Sequence, residues 1–125
     1  MLKYFLIALG GALGSMARFW IGSTIANRMG TRLPYGTFVI NIMACVIIGF
    51  SLTFLATRTG LNPVWRFLVP IGLIGAFSTF STYEWETLST IRNGAFLLAA
   101  LYAVSSLIFG LAAVWLGSVL AEIKL

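Results

Sequence analysis

The segment Gly75-Ala76-Phe77-Ser78-Thr79-Phe80-Ser81-Thr82-Tyr83-Glu84-Trp85-Glu86 holds the side chains best suited to chemistry in this chain. Ser78, Thr79, Ser81 and Thr82 alternate with aromatic rings in the middle of a stretch that is otherwise apolar. Polar groups within a membrane span are costly unless protein or water surrounds them, so their presence points to a polar cargo. Thr79, Thr82 and Glu86 share one helical face, with Phe80 and Tyr83 three residues apart on a neighbouring one. Aromatic pairs at that spacing serve ordinary helix packing. Ring edges also carry partial positive charge, which lets a phenyl group touch a small anion without holding it too tightly. Conduction requires that compromise between entry and release.

Other polar residues stand singly. Asn41 is the one strongly polar side chain within Gly36–Gly49, and its amide is either interhelical glue or a donor facing an anion. Arg18 interrupts the first apolar run and must snorkel, pair or face water, which allows a structural pairing or an anion-attracting vestibule. Tyr102, Ser106, Gly110, Ala113 and Gly117 form a small and polar stripe, readable as close packing or as a hydroxyl track. Pro70 removes an internal hydrogen bond, and Gly72 and Gly75 follow it, so a break in the helix is expected near residues 75–79. Such a break frees carbonyls, which suit a cation such as Na⁺, and N–H groups, which attract anions.

The inventory excludes much else. The chain has no Asp and no His; its acids are Glu84, Glu86 and Glu122, and its single cysteine, Cys45, lies in an apolar run. Metal clusters, catalytic triads and disulfide frameworks cannot be assembled from these residues, so an enzyme is not expected. The net charge of +5 is spread singly, without the clusters that make a phosphate footprint, which argues against nucleic acid.

These residues must be positioned by membrane-spanning helices. The 125 residues are 60% hydrophobic and 9% charged. At ~20 apolar residues per crossing, four spans consume most of the chain. They fall at about 4–25, 35–56, 64–91 and 95–122, giving one all-α membrane domain of four transmembrane helices with the third broken near its middle. Gly10, Gly11 and Gly14 recur at packing spacing, so the N-terminal run reads as a retained span and not a cleaved leader. Lys3, Arg58, Arg66 and Lys124 lie on one side of the membrane and Arg28, Arg32 and Arg92 on the other. Orientation follows the Lys/Arg imbalance of short loops. Near balance predicts dual topology and an antiparallel homodimer, in which two helix breaks meet on the symmetry axis.

Gly10-Gly11-Ala12-Leu13-Gly14-Ser15-Met16-Ala17-Arg18, Gly36-Thr37-Phe38-Val39-Ile40-Asn41 and Gly75-Ala76-Phe77-Ser78-Thr79-Phe80-Ser81-Thr82 together resemble the Fluc (CrcB-type) fluoride channels over essentially the whole chain. The resemblance implies an antiparallel, dual-topology homodimer in the bacterial cytoplasmic membrane, with two pores that let toxic fluoride leak out passively. It implies a pore lined by Asn41, Thr79, Phe80, Ser81, Thr82, Tyr83, Tyr102 and Ser106, with Phe80 presenting its edge to fluoride. Arg18 and Glu86 would lie nearer the vestibules, and backbone carbonyls of Gly75 and Ser78 would hold a structural Na⁺ between subunits. Two departures stand out. Tyr83 occupies a position where the family usually has Phe, and Gly110 leaves the hydroxyl track incomplete.

Two other classes share some of these features. A small multidrug-type, proton-coupled exporter is also short, four-span and dual in topology; it is expected to need a buried acid, often in its first span, and none is present there, although Glu84 and Glu86 late in the third span keep this class open. A non-transporting assembly subunit would account for the glycine faces and leave the Ser/Thr/Phe run unexplained.

Overall fold

The computed structural model describes residues 1–30 and 33–123. Arg32 and Lys124, two members of the loop-charge count, lie outside the described residues. The described chain is all-helical: α1 (Leu2–Met29), α2 (Tyr35–Thr57), α3 (residues 64–77), α4 (Phe80–Arg92) and α5 (Phe96–Glu122). Taking α3 and α4 as one path, four segments are long and apolar enough to cross a membrane. The first is longer than its apolar run suggests. It continues past Ile25 to Met29 and stops at Gly30, whose φ of 78° favours glycine and whose N–H returns to the Ala26 carbonyl.

Large apolar side chains point outward, as expected where lipid replaces water. Phe19 is 77% exposed, Leu97 75% and Trp115 69%. Burial is achieved instead by small residues at the helix contacts. An added Cβ on Gly14 would run into the Leu73 carbonyl of α3, and one on Gly10 into the Leu68 carbonyl. On the other side of the bundle, α2 and α5 meet at Gly49 and Gly117, whose Cβ positions are taken by the Val114 and Val46 carbonyls. Gly110 and Ala113 are buried on the same stripe of α5, so its lower half is a packing seam against α2. Between the two seams lies a small core of Ile40, Ala44, Ile74 and Phe77.

The third crossing is the irregular one. Asn62 Oδ1 accepts from the Val64 N–H at 3.0 Å and opens the helix. Phe67–Ile74 is wound as a π-helix that contains Pro70, so the lost N–H is absorbed by wider turns with no kink-ending gap. Helical dihedrals stop at Phe77. Ser78 (φ −73°, ψ 158°) and Thr79 (φ −147°, ψ 102°) are extended, and α4 begins at Phe80.

Candidate functional site

Of the two extended residues, Ser78 still donates its N–H to the Ile74 carbonyl of α3, whereas Thr79 is held from outside. Asn41, in the second turn of α2, accepts from the Thr79 N–H at 2.9 Å and donates to the Thr79 carbonyl at 3.2 Å. One amide therefore gives the Thr79 N–H the acceptor that no helix supplies and adds a second donor to the carbonyl of the residue that caps α4. Thr79 then starts α4 with its own side chain. Its hydroxyl accepts from the Thr82 N–H at 3.4 Å and donates to the Thr82 hydroxyl at 2.8 Å. A threonine in this cap position satisfies one of the orphan N–H groups of the new helix.

Seven residues into α4, Glu86 is fixed by two donors. The Thr37 hydroxyl, in the first turn of α2, reaches Oε1 at 2.7 Å, and the Tyr102 hydroxyl of α5 reaches Oε2 at 2.9 Å. Three helices thus converge on one carboxylate. Tyr102 is buried at 8% exposure, and its ring also faces Tyr83 at 5.1 Å between centroids. Tyr83 in turn stands 5.8 Å from Phe80. The aromatic rings form a row from Tyr102 outward, and Phe80 ends it, 73% exposed at mid-span on the surface of the protomer.

Beside this network lies a cavity of about 680 Å³, open on one side, between the C-terminal half of α1, the start of α2 and α4. Arg18, Thr37, Thr79, Thr82 and Glu86 all line it. A guanidinium, a carboxylate and seven hydroxyls line one space that reaches the helix ends at Gly30, Pro34 and Asn93, an amphoteric chamber in which a small ion can exchange hydration for protein contacts.

Of the residues singled out in the sequence, Arg18, Thr79, Thr82 and Glu86 share the cavity, and Asn41 abuts it through Thr79. Ser81 is exposed near Phe80, and Ser106 is half-buried on α5. Neither borders the cavity among its described lining residues. Gly75 is exposed on the surface of the protomer and Ser78 half-buried. Thr37 is the functional neighbour that residue-by-residue reading passed over. Its signal was its spacing, since Thr37 and Asn41 are four apart on α2 and both aim at the third crossing.

The fold and this cavity define a multi-pass membrane protein with a polar chamber among its helices. The profile described as CrcB-like protein, Camphor Resistance (CrcB), matches residues 5–118, and the chain belongs to that family. It is 51% identical over 121 residues to a protein of Acidobacterium capsulatum named Fluoride-specific ion channel FluC, with 97% of each chain covered. Proteins bearing the same name in Solibacter usitatus and Chloroflexus aurantiacus are 43% and 45% identical to it. The first covers 97% of this chain and 99% of its own, the second 89% and 88%.

Proposed function

We propose that this chain is a passive, fluoride-selective channel that releases fluoride from the bacterial cytoplasm across the inner membrane. The observation that carries the reading is the Asn41–Thr79–Thr82 chain of hydrogen bonds beside a chamber that also holds Arg18. Arg18 draws an anion into the chamber. The Thr82 hydroxyl, whose hydrogen is left free when it accepts from Thr79, replaces part of its water shell, and Asn41 retains one amide hydrogen beyond the one spent on Thr79. The row of Phe80, Tyr83 and Tyr102 offers ring edges as the next contacts, with Ser81 and Ser106 completing the polar path.

The working unit in this reading is an antiparallel, dual-topology homodimer with two pores. Its support is the near balance of basic residues between the loops and the exposure of Gly75, which has no side chain to offer lipid, near mid-span of the third crossing. The backbone around Gly75 and Ser78 also fits a structural Na⁺. The N–H four residues after Gly75 is that of Thr79, which Asn41 has captured. The N–H four residues after Ser78 is that of Thr82, which the Thr79 hydroxyl has captured. Each carbonyl is thereby released from its ordinary helical donor and suits a hard cation. A bound Na⁺ would supply fixed positive charge between subunits and hold the two third crossings together.

Anion efflux from liposomes loaded with fluoride or chloride tests the proposal. Rapid fluoride release with chloride retained is the expected outcome. Proton-dependent uptake of an organic cation, with no fluoride release, would instead support an exporter.

A further inference from the structure

The opposite end of α2 carries a second cavity, of about 370 Å³. Phe50 and Phe54 of α2, Leu61 of the loop, and Trp65 and Val69 of α3 wall it, and Ser51 is the one hydroxyl among its described lining residues. Phe50 and Phe54 stack with centroids 5.6 Å apart and form one flat wall. Trp65, 49% exposed, forms part of the other. Above the wall, the Arg58 guanidinium lies over the Phe54 ring at 5.4 Å from its centroid. Arg66, next to Trp65, is exposed at the same end of the molecule.

We infer that this groove seats an acyl chain of an anionic membrane lipid whose phosphate pairs with Arg58. The groove is apolar where two bilayer-crossing helices end, and its rim is cationic where the loop begins. That order, tail then charge, matches a lipid lying in its own leaflet. Residues 50–69 contain no Asp or Glu, so neither arginine has an acidic partner within the segment that builds the groove. Both are exposed and free to take an external counter-charge, and a phosphodiester is the anion a bilayer offers at that depth. Stacking on Phe54 also holds Arg58 in place before the lipid arrives, which lowers the ordering cost of binding. An uncharged apolar ligand would leave this cation unused.

Native mass spectrometry of the purified protein tests the assignment, with phosphatidylglycerol and phosphatidylethanolamine of matched acyl chains in equal amounts. Phosphatidylglycerol should be retained preferentially, and Arg58→Gln should reduce its retention roughly fivefold, the effect of about one interfacial charge, and reduce phosphatidylethanolamine less, since the ammonium of that headgroup already offsets its phosphate. Leu61→Trp, which fills the groove, should reduce both lipids. Arg28→Gln, at the other end of the bundle, should change neither. Equal retention of the two lipids, an unaltered profile in Arg58→Gln, or the same loss in Arg28→Gln would overturn the inference. So would a change of oligomeric state in Arg58→Gln with lipid retention intact, because the groove would then belong to a second copy of the chain.

Discussion

Asn41 and Thr79 are joined by two hydrogen bonds, one in each direction, so that a side chain of α2 completes the backbone of the third crossing. Where no water is available, the Thr79 N–H would otherwise be stranded. Asn41→Leu removes both partners at once and should lower stability by about 1–3 kcal/mol, the cost of leaving buried polar groups unpaired. Thermal unfolding in detergent measures this, and fluoride efflux from the same preparation should fall. An unfolding midpoint equal to that of the parent protein would show that the clamp carries no weight.

Glu86 offers a second test because its two donors come from different helices. Thr37→Val and Tyr102→Phe each delete one hydrogen bond to a carboxylate oxygen, worth about 1.5–3 kcal/mol when the acceptor is charged. If both act through Glu86, their effects on fluoride flux and stability should shrink in a Glu86→Gln background. A double-mutant cycle reads the coupling directly. Independent, additive losses would mean that Thr37 and Tyr102 serve the fold without regard to the carboxylate.

The glycine seam of α1 predicts opposite outcomes for two glycines three residues apart. Gly14→Ala places a methyl group against the Leu73 carbonyl and should destabilise by about 1–3 kcal/mol through overpacking. Gly11→Ala meets only the Ala76 Cβ at 4.0 Å and should be neutral or slightly stabilising, since alanine is the better helix former. Comparable unfolding midpoints for the two variants would contradict the close approach of α1 and α3.

These contrasts also indicate what a single sequence discloses. Apolar runs of about twenty residues locate the crossings because the thickness of the bilayer sets that length. The polarity of Ser78–Thr82 is likewise visible, since no apolar environment tolerates it without a partner. The partner is another matter. Asn41 and Thr79 are 38 residues apart, and whether the amide faces backbone, ion or neighbouring helix depends on the rotation of α2 about its axis. Rotation is set by the seam at Gly49 and Gly117, and small residues of this kind are common to many membrane helices and do not identify their own partners. Pro70 illustrates the same limit. Its missing N–H is evident in the sequence, but its absorption by π winding, with extended backbone only eight residues later, reflects packing of Gly72 against α1.

Phe80 and Tyr83 separate ring from hydroxyl. The Tyr83 ring lies between those of Phe80 and Tyr102, whereas its hydroxyl has no hydrogen-bond partner among the described residues. Tyr83→Phe should therefore change stability by less than about 0.5 kcal/mol, as expected where no mechanism of destabilisation is engaged. It should leave fluoride efflux equal to that of the parent or faster, because the ring edges remain and the passage widens. Phe80→Ile keeps an apolar side chain but removes the ring edge, and should reduce fluoride efflux by at least about tenfold while the oligomer, followed by size-exclusion chromatography, is preserved. Should Tyr83→Phe abolish flux while Phe80→Ile conducts normally, the anion contacts would have to be reassigned from the ring edges to the phenolic oxygen.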